Sequence, residues 1–116
     1  MRAYTRVEDR GVERRTFPRR RTLLSAKLAF GHPAIIMSCG VRNLSDNGAQ
    51  IELESAAFIQ PPFRLLMMRD GAIHEADLIW SWGKMLGLSF TATHRAEAPL
   101  AEDLKILRVL WSATRA

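Results

Sequence analysis

The sequence predicts a mainly β protein: a six-stranded antiparallel barrel followed by a C-terminal α-helix. Three observations lead there. Over residues 22–91, apolar side chains recur at a period of two in short runs. Those runs are separated at close spacing by turn-forming residues, which favours hairpins over crossover connections. After residue 91 the period changes, and apolar residues fall at helical spacing instead. Closing such a sheet into a barrel also removes the strand edges that would invite aggregation. With 116 residues, 47% of them hydrophobic and 25% charged, the chain has the size and composition of one ordinary domain with a modest core.

Residues 1–12 are polar, carry both signs of charge and lack a sustained period, which predicts a mobile lead-in. Residues 13–21, Glu13-Arg14-Arg15-Thr16-Phe17-Pro18-Arg19-Arg20-Arg21, read as an extended cationic arm. Pro18 fixes its own φ and pushes Phe17 towards extended geometry. Arginine matters here because its planar fork grips phosphate oxygens, or the guanine O6/N7 edge, through paired bonds.

The first strand is expected over Leu23 to Phe30, ending at the turn Gly31-His32-Pro33. In the second, Ile35, Met37, Cys39 and Val41 alternate with Ile36, Ser38, Gly40 and Arg42, giving one apolar face. Asn43-Leu44-Ser45-Asp46-Asn47-Gly48 follows, with Asn47-Gly48 as the tight-turn signal. Ala49, Ile51 and Leu53 then alternate with Gln50, Glu52 and Glu54 in a third strand. Ser55 to Pro62 is a connection, halted by Pro61-Pro62. The remaining strands are Phe63 to Met68, Ile73 to Trp80 and Met85 to Phe90, with turns at Asp70-Gly71 and Gly83-Lys84. The closing helix is expected over 99–113, with Leu100, Leu104, Leu107 and Trp111 on one stripe. Pro99 suits its first turn, Glu102 and Asp103 complement its positive end, and Arg108 lies nearer the negative end.

Several function classes are disfavoured. The net charge of +5 is concentrated near the amino end, which favours a local anion site over a uniformly basic surface. The strands lack the aromatic-basic interleaving that stacks RNA bases, so nucleic acid is not the expected partner. His32, His74 and His94 have no ligand spacing to Cys39 or to one another, so no metal site is expected. No Ser/His/Asp order or paired carboxylates support catalysis, and an enzyme is not expected. A single cysteine permits no internal disulfide and suggests a reducing compartment. With no apolar leader region and no run of bilayer length, a cytoplasmic protein without a membrane span is expected. Cys39 reads as a small buried hydrophobe. Trp80 and Trp82 bracket Ser81 on one strand face and read as core packing rather than a base-stacking platform.

Two motifs remain: Arg15-Thr16-Phe17-Pro18-Arg19, an RxxxR, and Asn43 to Gly48, an NxSxxG. In this order and at this separation they resemble the PilZ domain, the bacterial receptor module for cyclic di-GMP. The resemblance runs from Glu13 to Phe90. Val41 to Ala49 looks like the family's second strand, turn and third strand, and Ile79-Trp80 with Gly87-Leu88-Ser89-Phe90 is similar to its late strand pair. It implies a single domain over 13–116: arginine arm 13–21, six-stranded barrel 22–91 and helix 99–113.

The resemblance also implies a ligand with two phosphodiester charges and two guanine edges. Arg15 and Arg19 would clamp phosphate and guanine. Asn43 and Ser45 would bond guanine polar atoms, and Gly48 would let the backbone approach the ligand. Arg14, Arg20 and Arg21 flank the motif as additional candidates. Two departures stand out. Many family members have Asp where this chain has Asn43, and a neutral amide is the weaker acceptor, which lowers the expected affinity. Ala49 stands where a second glycine is frequent, and crowding of the ligand is expected there. The arm is expected to fold over the bound nucleotide and signal to an effector protein that the sequence does not name. Two alternatives are a PilZ-like module that works by protein contact alone and a small basic nucleic-acid binder.

Overall fold

Six antiparallel strands close on themselves in the order β1-β2-β3-β6-β5-β4, so no strand is left with an unpaired edge. The structure is a computed structural model that describes residues 20–115, with side chains described over 24–114. The lead-in 1–12 and arm residues 13–19 lie outside the described residues. The strands are β1 (Arg20–Phe30), β2 (Ile35–Ser45), β3 (Gly48–Leu53), β4 (Phe63–Met67), β5 (Ala72–Trp82) and β6 (Met85–Arg95). After β6 come a single 3₁₀ turn at Glu102–Leu104 and helix α1 (Lys105–Arg115).

The alternation fills the barrel. Leu28, Val41, Ile51, Leu65 and Leu86 are all at most 1% exposed and pack in one interior cluster with Cys39, Ala49 and Leu53. A second cluster lies on the outer wall, where Ala29, Leu66 and Ile73 meet Leu104 and Leu107 of the C-terminal segment. The wall under the helix is therefore apolar on both faces, and β4 is buried at every position. This displaces one expected face. Ile35 is 58% exposed at the start of β2, while its neighbour Ile36 turns outward onto the helix-side cluster. Strict alternation cannot anticipate a helix lying against the outside of the wall.

Strands β2, β5 and β6 run further than the sequence suggests because bulges carry them past breaks in the alternation. The registers shift between Val41 and Asn43, between Glu75 and Ala76, and between Leu78 and Trp80. Each bulge adds a residue to one strand, bends it and re-aims the following side chains. The first strand begins at Arg20, and Arg20 and Arg21 pair with Leu44 and Asn43. The last two residues of the predicted arm thus belong to the barrel wall.

The helix starts later than expected. Ala101 is still extended, and a tight turn with Leu104 N–H bonded 3.0 Å to the Ala101 carbonyl precedes α1. Pro99 therefore lies outside the helix, and Glu102 and Asp103 sit in the 3₁₀ turn. Arg64, 2% exposed, holds this segment: its guanidinium donates to the Gly31 carbonyl at 3.0 Å and lies 3.6 Å from the Asp103 carboxylate. Trp111 seals the other side. Its Nε1–H donates to the Met68 carbonyl at 3.2 Å, and its ring packs on Gly71, whose φ of +76° makes the β4–β5 turn. No helix among the described residues is long and apolar enough to cross a membrane.

Candidate ligand-binding site

Strand registry places one continuous rung across the barrel wall. Arg21 pairs with Asn43, Asn43 with Gln50, Gln50 with Gly87, and Gly87 with Trp80. Along the last four of these positions lies an open cleft of about 220 Å³, continued by Ser45, Gly48 and Ser89 on the next outward-facing row.

Two bulges build this cleft. In β2, Val41 faces the core opposite Ile51, and Arg42 and Asn43 together oppose Gln50. The extra residue brings Asn43 to the outside, where its Nδ2–H donates to Gln50 Oε1 at 2.6 Å. Arg42 on the same face pairs with Glu52, which Lys84 approaches at 3.9 Å. In β5, Leu78 faces inward opposite Leu88, Ile79 is the extra residue, and Trp80 emerges outward against Gly87.

This corrects the expectation for the tryptophans. Trp80 is 40% exposed and Trp82 81% exposed, and neither is in the core. The bulge at Ile79 reverses the parity that would have turned them inward. The indole of Trp80 lies over Gly87 so closely that a Cβ there would come within 2.1 Å of Nε1. Glycine is what lets the ring settle against the strand and form one wall of the cleft.

Gly48 also has a different setting from the expected one. The two-residue turn is Asp46-Asn47, with Ser45 paired to Gly48, so Gly48 is the first residue of β3. A Cβ at Gly48 would meet the Leu88 carbonyl oxygen at 2.1 Å. Among the described contacts, the missing Cβ serves the approach of β3 to β6. Ser45 shapes the same turn: its Oγ accepts from the Asn47 N–H at 3.3 Å and donates to the Gly48 carbonyl at 3.4 Å. Ala49 is buried in the barrel core cluster and its backbone also borders the cleft.

The structure thus brings Asn43, Ser45 and Gly48 together on one face and adds Gln50 and Trp80. Gln50 was legible as the outward partner between Ala49 and Ile51; Trp80 was not, because no sequence signal marks the bulge. The cleft lining contains amides, hydroxyls and an indole but no charged side chain among the described residues. Any cation facing an anion here has to come from elsewhere. Arg20 and Arg21 begin β1 beside the cleft, though their side chains are outside the described set. Arg19 is the preceding residue, and Arg15 is tied to Arg20 by a chain that spans at most about 18 Å. Arg14, Arg15 and Arg19 lie outside the described residues.

The titratable groups among the described residues lie outside the cleft lining. No cluster of His, Cys, Asp or Glu suited to a metal ion occurs among the described residues. Burial pushes the Cys39 thiol up to about 12, with the nearby Lys27 cation opposing, which makes it a poor nucleophile. His94 Nε2 is 2.6 Å from Glu75 Oε2, on the barrel wall away from the cleft lining. No protein-family model and no curated protein matches this chain.

Proposed function

We propose that this chain is a non-enzymatic PilZ-like receptor for cyclic di-GMP, acting in the bacterial cytoplasm, whose arginine arm closes over the nucleotide and changes the contacts it makes with an effector protein. One observation carries the reading. The NxSxxG residues Asn43, Ser45 and Gly48 share an outer cleft with Trp80, and that cleft adjoins the point where the arginine-rich segment enters β1.

The parts are complementary in chemistry. The neutral amides and hydroxyl suit the polar edge of a base. Trp80 offers a planar surface of the kind on which bases stack, a contribution of about 1–3 kcal/mol per base in single-stranded complexes. The uncharged lining leaves phosphate neutralisation to the arm, where Arg15 and Arg19 carry the motif and Arg14 and Arg20 flank it. Closure then costs the ordering of the arm and is offset by charge-assisted bonds to the phosphates.

Calorimetric titration of cyclic di-GMP at physiological salt tests the reading, with Arg15→Ala and Arg19→Ala alongside. Saturable binding lost in both variants is the expected result. Absence of both heat and thermal shift at high ligand would refute it. A second reading, a PilZ-like module acting by protein contact alone, draws on Ile79 in the cleft lining and Trp82 further along β5, which stand 63% and 81% exposed.

A further inference from the structure

A cation stands beside the cleft without lining it. Arg42 directly precedes Asn43, and the β2 bulge sets both residues opposite Gln50 on the outer face. Asn43 lines the cleft, whereas Arg42 bonds Glu52, two residues from Gln50 along β3 and outside the lining. Gly40, the ladder partner of Glu52, has no side chain to answer the carboxylate, and the Arg42 guanidinium donates to its Oε1 instead. Lys84, in the β5–β6 turn, approaches Oε2 at 3.9 Å.

The bond between Arg42 and Glu52 is a weak tether. The two side chains are 43% and 34% exposed, and an ion pair so open to solvent shifts an equilibrium by only about 1.4- to 5-fold. A phosphate oxygen offers the same guanidinium a charge-assisted bond, and a dianionic ligand attracts it more strongly than one carboxylate does. Among the described residues no other hydrogen bond or ion pair holds Arg42. Its transfer to a ligand does not strand Glu52, because Lys84 stays nearby and water reaches the carboxylate.

We infer that Arg42 is a further phosphate-binding residue of the receptor, held back by Glu52 in the free protein. The inference rests on the receptor reading above and adds to the arm without replacing it. The arm enters through β1, whereas Arg42 stands on β2, carried by the bulge that presents Asn43. A ligand bonded to Asn43 therefore has beside it a cation that needs a side-chain rotation and not the ordering of a segment. Glu52 competes with the phosphate for this one guanidinium, and so sets the affinity.

Three substitutions separate this role from a general effect of charge. Arg42→Gln and Lys84→Gln each remove one positive charge beside Glu52, but Arg42 adjoins the lining residue Asn43 while Lys84 lies in the turn. Glu52→Ala removes the competitor and leaves Arg42 free to turn. Combined with Arg42→Gln, it removes the same negative charge with no guanidinium to release.

The test is a calorimetric titration of the full chain and these variants with cyclic di-GMP at physiological salt. Arg42→Gln is expected to raise Kd at least about fivefold more than Lys84→Gln does, the scale of one charge-assisted bond less the tether it replaces. Glu52→Ala is expected to lower Kd by about two- to fivefold, and to keep less than about half of that gain when Arg42→Gln is present. Thermal melts confirm folding, and Glu52→Gln or Arg42→Ala replaces a variant that is unfolded. A difference from Lys84→Gln below about fivefold, a gain below about twofold, or a gain that persists without Arg42 overturns the inference and leaves the receptor reading standing. A wild type that gives neither heat nor thermal shift overturns both.

Discussion

The indole of Trp80 lies directly over Gly87, its partner across the β5–β6 ladder, and occupies the space where any other residue would carry a Cβ. Gly48, a neighbour on the same wall, also has no room for a Cβ, but the obstacle there is the Leu88 backbone carbonyl. The two glycines thus separate a side-chain constraint from a backbone one. Gly87→Ala is expected to expel the indole while retaining the barrel, raising Trp80 solvent exposure in fluorescence quenching. Gly48→Ala is expected to cost more stability, because a carbonyl within the β3–β6 ladder cannot swing aside. Comparison of urea midpoints checks this, and equal losses would contradict it.

Trp80→Ala is expected to weaken cyclic di-GMP binding by about 5- to 150-fold, corresponding to about 1–3 kcal/mol for one stacked base. Trp82→Ala, one outward position along the strand and absent from the cleft lining, is expected to leave it within about twofold. A titration in which the two variants behaved alike would remove Trp80 from the site.

Arg64 joins the barrel to the C-terminal segment. Arg64→Met retains much of its buried bulk but leaves the Gly31 carbonyl without the 3.0 Å donor and Asp103 without its nearest cation. The expected loss is about 1–3 kcal/mol, the cost of an orphaned buried acceptor. Hydrogen exchange at the Leu104 amide should quicken at the same time. Unchanged exchange there would show that the segment is held by Leu104 and Leu107 packing alone.

His74 gives the fold an acid-side weakness. Its ring stacks on Phe90 with centroids 4.0 Å apart and planes 5° from parallel, and Nδ1 is 2.9 Å from Thr93 Oγ1. Burial disfavours the imidazolium and lowers the pKa, with the Asp70 carboxylate opposing this to a lesser degree. As pH falls through the ordinary histidine value near 6.5, the unfolded chain takes up a proton that the folded chain resists. Stability present above that value is therefore lost on acidification, until the lower folded-state pKa is reached. Urea midpoints measured between about pH 7 and pH 5 should fall more steeply for the wild type than for His74→Gln. Parallel slopes would contradict the assignment.

Cys39 is expected to resist alkylation by iodoacetamide in the folded protein at neutral pH, since burial removes access and keeps the thiol protonated, with its pKa at about 12. Denaturant should expose it to rapid, stoichiometric labelling. Fast labelling under native conditions would show that the β2 end of the barrel opens readily.

The barrel and most of its inward rows are legible in the residues alone. Leu28, Val41, Ile51 and Leu65 recur at the period of a strand, and a chain bounded by Gly31, Gly71 and Gly83 has to fold back at those points. The final change to helical spacing also predicted a helix, because residues three and four apart share one helical face. Two short motifs further pointed to Asn43, Ser45 and Gly48 as a group.

The side that several residues face depends instead on long-range contacts. Period-two reasoning carries parity along a strand, and a single unpaired residue reverses it. The extra residues at Arg42 and Ile79 turn Asn43 and Trp80 outward together, from strands that are not neighbours, and so create the cleft. Ile36 faces outward for a different reason: α1 supplies a second apolar environment on the far side of the wall. A bulge is stabilised by the registry of the strands around it, and a covered outer wall by a distant helix. Neither condition is local, so neither could be read from the residues concerned.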